Sequence, residues 1–344
     1  MNSLIRKGVE YAMESGKLSP DQLREHVLKY TGVPNNDIIL PASLGGDTSL
    51  LRIPGNIIAL STDPITGATE NAGWLAIHVA ANDIYANGAK PLTCLLTVLM
   101  PSGSTMLEVE KIMQDAHRAA CELDISICGG HTEITDAVCR PVLSTTIIAM
   151  ADEVGLKKDF RPQAGDAIVV CNSLGMEAAA ILAKDHCYLL ANALKDETIN
   201  YLASLINEIS VGPAASLVSK HTYHAMHDIT EGGLIGALYE MAEGAKLGFK
   251  IRPALAPVKE PIVELCSHLG LDITRLLSSG SLIIATSEGD GLVDHLTRSG
   301  FIAANIGYFT KKTAKVIAWD DHDEELQQEP MSDELWRLLD KLEA

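Results

Sequence analysis

The amino-acid sequence predicts an α/β fold arranged in two domains. The chain has 344 residues, which is more than one hydrophobic core usually serves. Hydrophobic residues make up 47% of the chain but aromatic residues only 4%, so the core should be aliphatic, as in layered α/β proteins. Short apolar runs typical of strands alternate with segments of helical periodicity, and this alternation indicates α/β layering.

Strands and helices alternate most clearly in the first half of the chain. The run IIAL at 57–60 predicts a buried strand, and apolar residues at helical spacing then continue from Trp74 to a helix end at Asn87 and Gly88. A second helix should follow the segment PSGST. The first thirty residues are also expected to be helical, and further strands are expected at 92–100, 125–128 and 142–151.

A polar stretch with Pro and Gly, residues 152–166, is the best candidate for a domain boundary. The run AIVVC at 167–171 then predicts a new strand. The remaining predictions are helices near 175–184 and 196–209 and after Glu231, strands at 281–286 and 313–319, and a C-terminal amphipathic helix that Ser332 would cap.

The formal net charge of −18 argues against binding to nucleic acid or to an anionic membrane, because the field repels phosphate. A phosphorylated ligand is still compatible with this charge if divalent cations lie between it and the carboxylates. The seven cysteines are scattered and form no CxxC pair, so they are expected to be reduced and mostly buried. With no apparent signal peptide or membrane span, a cytoplasmic protein is expected.

The stretch CGGHTEITDAVCRP at 128–141 allows three interpretations. Cys128, His131 and Cys139 could ligate zinc, but their spacing matches no known zinc pattern. Alternatively, a turn through Gly129 and Gly130 could present backbone N–H groups to a phosphate, with the Thr132 hydroxyl and the Glu133 carboxylate beside them. An ordinary turn after a strand is the third interpretation, and the stretch alone does not decide among them.

Four aspartates stand beside apolar sequence rather than in solvated charge runs. They are Asp47 in LGGDTSLL, Asp63 in STDPITG, Asp83 in AANDIY and Asp228 in MHDITEGG. Singly, Asp63 suits a turn before Pro64 and Asp228 suits a helix N-cap. Together they predict a Mg²⁺ site, because Mg²⁺ binds through carboxylates and substrate phosphates. Since the sequence has neither a P-loop motif nor GxGxxG, any nucleotide site should depend on the metal.

Five stretches resemble the AIR synthase (PurM-like) superfamily, and within it hydrogenase maturation proteins of the HypE type and their archaeal-type relatives. They are STDPITGATENAGWLAIHVAANDIYANGAKP (61–91), GGHTE (129–133), RPQAGDAIVV (161–170), HDITEGGL (227–234) and SSGSLIIA (278–285). The resemblance runs in order over nearly the whole chain from about Gly16. The first two stretches are the specific ones.

The resemblance implies a PurM-like architecture after an N-terminal helical segment at 1–35. An ATP-binding α/β domain at 36–152 would contribute strands to a dimer-spanning β-barrel, and an α/β sandwich domain would span 160–344. It also implies a homodimer that binds ATP and Mg²⁺ between its domains. Such proteins use ATP to activate an amide or similar oxygen, or to transfer phosphate to a small acceptor.

By position, the resemblance implies roles for individual residues. The Mg²⁺ ligands would be Asp47, Asp63, Asp83 and Asp228, and the general base could be Glu133 or His131. Nucleotide contacts would come from Asp63, Asn82, Gly129, Gly130, Thr132, Glu133 and Thr230. Cys128 and Cys139 would then be structural thiols.

The sequence departs from the family pattern in ways that leave the acceptor open. No cysteine follows Cys266, so the chain cannot carry a carbamoyl group on a C-terminal cysteine, as HypE does. The glycine turn GGDTS has one acidic residue where two are usual, and the Cys/Lys-bearing loop of selenophosphate synthetase is missing. Two functions therefore remain: an ATP-dependent enzyme, or a non-catalytic ATP-binding dimer that serves a maturation partner protein.

Three other residues have alternative interpretations. His78 lies on the apolar side of its helix, so a core or interface histidine is favoured over a catalytic one. His227 could serve only to orient Asp228. Trp336 is interpreted as a packing residue.

Overall fold

The computed structural model describes residues 21, 23–24, 28, 30, 35–41, 43–44, 46–151, 160–326 and 333–343. Two β-sheets, with helices packed on them, account for most of this part of the chain, so the α/β class predicted from the sequence is confirmed. The predicted N-terminal helix, the Ser332 cap and residues 152–159 of the predicted domain boundary lie largely outside the described residues. Within them, no helix is both long and apolar enough to cross a membrane.

The first sheet contains six strands: β1 (Ile38–Leu40), β2 (Ser49–Ile53), β3 (Asn56–Ile65), β4 (Lys90–Pro101), β5 (Ser126–Thr135) and β6 (Val142–Ala151). Their order across the sheet is β1-β2-β3-β6-β4-β5, and only β4 and β5 pair in parallel. In the described part of the chain β1 and β5 remain edges. The described strands of one chain therefore do not close this sheet into a barrel.

Two helices cover one face of the first sheet. Helix α1 (Ala72–Ala86) packs on β3 and β6 and is buried over nearly its whole length. Helix α2 (Met106–Glu122) packs against α1 and begins with a capping box, in which the Thr105 hydroxyl accepts from the Glu108 N–H and the Glu108 carboxylate accepts from the Thr105 N–H. The buried helix α1 thus has the first sheet on one side and is free to contact the second domain on the other.

The second sheet contains seven strands: β7 (Ala167–Cys171), β8 (Ala225–Ile229), β9 (Gly248–Ile251), β10 (Ser281–Thr286), β11 (Ala303–Thr310), β12 (Lys315–Ala318) and β13 (Asp323–Glu325). Their order is β13-β12-β9-β11-β7-β10-β8, and only β9 and β12 pair in parallel. The helices of this domain are α3 (Met176–Asp185), α4 (Asp196–Ser204), α5 (Gly212–Val218), α6 (Gly233–Ala245), α7 (Glu260–Leu269), α8 (Gly289–Arg298) and α9 (Glu334–Glu343).

Alternation along the central strand β7 shows that both faces of this sheet are covered. Ile168 and Val170 pack in one core with α6, whereas Val169 and Cys171 pack in another core with α5 and α8. The second domain is therefore a three-layer α/β/α unit, which agrees with the α/β sandwich implied by the resemblance. Helices α3, α4, α7 and α9 bury their apolar sides in the same core cluster as α1 and the first sheet.

The junction between the domains is fastened at Asn82, a fully buried residue of α1. Its side-chain N–H donates to the Ile209 carbonyl at 2.8 Å, and its carbonyl accepts from the Val211 N–H at 2.9 Å. Helix α1 also contacts α5 and β8. The continuous core and these hydrogen bonds place the face of α1 that carries Asn82 against the second domain.

Most of the predicted elements are confirmed, and the strands at 142–151, 167–171 and 281–286 match to the residue. The strand expected at 125–128 continues to Thr135, so Gly129 and Gly130 lie in β5 and not in a turn. Asp63 likewise lies inside β3, and Asp228 lies inside β8 and not at an N-cap. The prediction of mostly buried thiols is wrong, because only Cys94, Cys171 and Cys266 of the seven free cysteines are buried.

Candidate functional site

The four predicted aspartates approach one another at the junction of the domains. Asp63 lies on the side of β3 that faces α1, two residues beyond Ser61. From α1, Asp83 accepts a short hydrogen bond from the Ser61 hydroxyl. Because α1 also packs on β8, it brings Asp83 towards Asp228 of the second domain.

The electrostatics of Asp83 confirm that these carboxylates are neighbours. Its side chain is buried, and burial is the main reason that its pKa lies well above the ordinary value. The negative charges of Asp63, Asp228 and Asp47 raise this pKa further, in that order, while the hydrogen bond from Ser61 lowers it. Acidic groups from both domains therefore share one poorly solvated region.

His227 lies directly between two of the aspartates, beyond the orienting role suggested by the sequence. Its Nδ1 is 3.0 Å from Asp47 Oδ1 and 3.7 Å from Asp228 Oδ1, and its Nε2 is 3.4 Å from Glu240 Oε2. Burial alone would lower the pKa of His227, but Asp47, Asp228 and Glu240 together raise it well above the ordinary value. The imidazolium form is therefore stabilised within the acidic site.

The residues present fit a hard cation such as Mg²⁺. Among the described residues, Asp47, His227 and Asp228 have potential ligand atoms within 4.8 Å of one another. Since protonated His227 has no lone pair to offer, Asp47 and Asp228 would supply the ligands. Asp228 Oδ2 is buried and makes no hydrogen bond, and the Nδ1 contact of His227 is at ion-pair distance without hydrogen-bond geometry. Mg²⁺ prefers carboxylate oxygens of this kind. The cysteines of the zinc interpretation form no such group in the described chain.

A cleft of about 150 Å³ opens beside this acidic site, between the two domains. Its wall from the first domain includes Asp63, and its wall from the second domain includes Thr230 and Glu177. Glu177 is the second residue of α3, and burial raises its pKa to about 7. The predicted nucleotide residues Asp63 and Thr230 therefore do share a cavity.

Helix α9 forms one rim of the cleft. The Trp336 indole N–H donates to Glu231 at 2.8 Å, and the ring lies so close to Gly67 that a Cβ there would be 2.1 Å from it. Asp333 precedes the helix and accepts from the Gly232 N–H at 2.7 Å and the Leu335 N–H at 2.8 Å. Burial raises the pKa of Asp333 to about 6. The packing role predicted for Trp336 agrees with these contacts, although the packing is at the cleft.

The GGHTE segment lies apart from the aspartates within one chain. Its residues are exposed on the edge strand β5, where Gly130 approaches the Leu96 carbonyl too closely to allow a Cβ. The strand register aligns Asp63 with Thr145, Leu96 and Gly130 in succession. Three strand spacings place Gly130 about 14 Å from Asp63. His131 and Glu133, the candidate bases, pair with each other at 3.2 Å.

Sequence reasoning identified the aspartates but did not identify Ser61, Glu177 or Ser279. Ser61 could have been found, because period-two alternation places it on the same face of β3 as Asp63. Glu177, a single acidic residue before the alanines of EAAAIL, resembles an ordinary first-turn acid. Asn82 was expected to contact nucleotide, whereas both ends of its amide bind the backbone at 209–211 in this structure.

Both domains of this fold match models of AIR synthase related proteins. The model of the AIR synthase related protein N-terminal domain matches residues 45–151, and that of the C-terminal domain matches residues 163–320. Since the two models together match most of the chain, the protein belongs to the AIR synthase-related family.

Its relatives include hydrogenase maturation proteins. A protein of Methanocaldococcus jannaschii named for hydrogenase expression or formation is 28% identical over 315 residues, covering 88% of this chain and 90% of the relative. The carbamoyl dehydratase HypE of Rhizobium leguminosarum bv. viciae is 28% identical, with 77% of each chain covered.

Solved HypE structures have the same fold. A HypE structure in complex with ATP superposes with a TM-score of 0.64 at 22% identity, covering 92% of this chain and 97% of that chain. The HypE of a HypE–HypF complex gives a TM-score of 0.66 at 20% identity, covering 81% and 92%.

Proposed function

We propose that this protein is an ATP- and Mg²⁺-dependent enzyme that activates an amide or carbamoyl oxygen by phosphorylation, as an enzyme of hydrogenase maturation. The observation that carries the proposal is the convergence of Asp47, Asp63, Asp83 and Asp228 at the domain junction. A cation stabilises buried carboxylates that lie this close together, and Mg²⁺ binds carboxylate and phosphate oxygens together. The carbamoyl dehydratase relatives support this class of reaction.

In this reaction the amide oxygen bonds to the γ-phosphorus of ATP, the bond from that phosphorus to the bridging oxygen breaks, and ADP leaves. Loss of phosphate and of two N–H protons then leaves a nitrile. Mg²⁺, when bound, would neutralise charge on the phosphates. Asp47 and Asp228 would ligate the ion, and Asp63 and Asp83 would add further carboxylates near the metal and the phosphates. Protonated His227 would hold Asp47 and Asp228 in position by ion pairs.

We also propose that the GGHTE segment contacts the nucleotide in a homodimer. Because Gly130 lies about 14 Å from Asp63 across three strand spacings, Gly129, Gly130, Thr132 and Glu133 need an extended ligand or a second copy to complete one site with the aspartates. The same holds for His131 as a candidate base. Asn82 stays a predicted nucleotide residue, with the domain contact as its observed role.

A maturation partner protein and a reducing cytoplasm belong to the same proposal. The HypE–HypF complex among the similar structures supports a protein partner for this fold. The seven cysteines are all unpaired, including four that are exposed, and this suits a compartment that keeps thiols reduced.

The non-catalytic ATP-binding dimer is the second candidate, and the position of His227 favours it. A protonated imidazole between Asp47 and Asp228 already compensates part of the charge that a metal would compensate. A weakly held metal would permit nucleotide binding with little turnover. Release of ADP by purified protein with Mg²⁺ separates an enzyme from a scaffold.

The nucleotide site is tested by melting temperature with and without Mg-ATP. A ligand at about 100 times its Kd should stabilise the native state by about 2.7 kcal/mol. In Asp83→Asn we expect the ligand-free protein to melt higher, because one buried carboxylate beside three others is gone, and we expect most of the Mg-ATP shift to be lost.

Asp294→Asn, on the exposed surface of α8, is the matched control and should behave as wild type. If wild-type protein shows no Mg-ATP shift, or if both variants keep it in full, the assignment of the nucleotide site is wrong.

A further inference from the structure

Glu177 occupies an unusual position for an acidic side chain. It lies in the first turn of α3, is 4% exposed, and lines the cleft between the domains. Its Oε2 atom is buried without a hydrogen-bond partner. A buried acceptor without a hydrogen bond is destabilising, so this orientation is unfavourable unless a ligand satisfies it.

Ser279 provides a second polar group in the same cleft. Its side chain is fully buried, and its hydroxyl also lacks a hydrogen bond of normal geometry, although it lies near enough to Glu177 to lower the pKa of that carboxyl. The residue adjoins Gly280, where the chain enters β10. Two buried groups that hydrogen-bond poorly to each other are both available to a third group.

The charges around the cleft select the kind of group that can enter. Asp63 lines it, and the negative charges of Asp333, Asp228 and Asp63 all raise the pKa of Glu177. No lysine or arginine is present among the described residues that line it. An anionic acceptor would meet repulsion here, whereas a neutral or cationic group with N–H donors would satisfy both Glu177 Oε2 and the Ser279 hydroxyl.

We propose that Glu177 and Ser279 bind the nitrogen of the amide or carbamoyl acceptor and so select it against a phosphate or carboxylate. This inference rests on the proposed function, because it places the acceptor next to the nucleotide. Two N–H donors of a primary amide match the carboxylate and the hydroxyl, and the amide oxygen is then left to face the acidic site where the phosphates would lie. Glu177 and Ser279 are thus specificity-determining residues.

The test compares two acceptors of similar size in ADP release by the full chain with Mg-ATP. The probes are S-carbamoyl-N-acetylcysteine, which carries a primary amide, and S-carboxymethyl-N-acetylcysteine, which carries a carboxylate. We expect only the carbamoyl probe to stimulate wild-type protein. In Glu177→Gln and in Ser279→Ala we expect the stimulation to fall by about tenfold, as for loss of one hydrogen bond to a charged or buried group, with the Mg-ATP melting shift retained.

The melting shift distinguishes failure of this inference from failure of the proposed function. If wild-type protein shows no shift with Mg-ATP, the nucleotide function itself is wrong. If the shift is present but the carbamoyl probe gives no stimulation, or stimulates both variants as it does wild type, the assignment of Glu177 and Ser279 is overturned. Equal stimulation by the carboxymethyl probe also overturns it. Ser279→Ala keeps the test valid if Glu177→Gln does not fold.

Discussion

At His78 a titratable side chain is kept neutral by its surroundings. The ring is 3% exposed on α1, its centroid lies 3.9 Å from that of Trp74, and its Nε2 is 3.3 Å from Glu122 Oε2. Burial lowers the pKa of His78 to about 4, and the opposing effect of Glu122 is smaller. The burial agrees with the core or interface histidine favoured by the sequence.

This histidine should make stability depend on pH. The unfolded chain has a histidine pKa near 6.5 and the folded chain one of about 4, so the unfolded state binds more protons between these values. Stability should therefore be full above pH 6.5 and fall as the pH is lowered to 4, by up to about 3 kcal/mol from this residue. His78→Phe, which keeps the ring contact with Trp74, should flatten that dependence in urea unfolding at several pH values. Identical pH dependence in both proteins would contradict this.

At the scale of an element, helix α9 buries only one side of its leucine stripe. Its stripe of leucines has a buried side and an exposed side: Leu335 is 0% exposed and Leu339 7%, whereas Leu342 is 45% exposed. The buried leucines join the core cluster that spans both domains, and Trp336 holds the rim of the cleft. The helix therefore stabilises the domain junction as well as its own domain.

Two alanine substitutions in α9 should differ widely in cost. Leu335→Ala should lower the free energy of unfolding by about 2–5 kcal/mol, because it leaves a cavity in the core. Leu342→Ala, in the same helix, should change it by less than about 0.5 kcal/mol. Denaturant unfolding of both variants measures the difference. Similar values for the two would mean that α9 is not docked as described.

The part of the structure that can be predicted from the sequence also differs from element to element. The ten apolar-rich residues of β6 and the leucine stripe of α9 gave clear periodicity, because packing on one neighbour repeats at every turn or alternate residue. The turn residues of HDITEGG suit an N-cap at Asp228, but tertiary pairing with β10 keeps this residue in a strand. Asp47 and His227 are 180 residues apart, and a contact between such distant residues leaves no local pattern in the sequence. The sequence therefore predicts that the aspartates share a Mg²⁺ site but not which side chains contact one another.

At the scale of the whole molecule, one face of the first sheet has no covering layer among the residues that the structure describes. Leu95 on β4 and Met150 on β6 are each 42% exposed, and the strand register places both on the face opposite the buried Leu96 and Leu143. Neighbouring strands place these apolar side chains on one sheet, beside an unpaired edge at β5. An apolar surface of this kind marks an interaction site, and it supports the proposed homodimer.

A single charge on this surface should dissociate the dimer. Leu95→Asp should shift sedimentation from dimer to monomer at micromolar concentration, because a carboxylate would be buried without a partner. Leu107→Asp, at a position 75% exposed on α2, is the control and should remain dimeric. A wild-type protein that sediments as a monomer at tens of micromolar would refute the homodimer.

Asn82 and Asp83 are consecutive residues with different partners. Asn82 is hydrogen-bonded to the main chain of the second domain, and Asp83 lies near Asp63, Asp228 and Asp47. Opening of the two domains about the junction would break both hydrogen bonds of Asn82 to the second domain, whereas Asp83 stays bonded to Ser61 of its own domain. ATP and ADP should accordingly enter and leave through a cleft whose two walls keep a fixed separation.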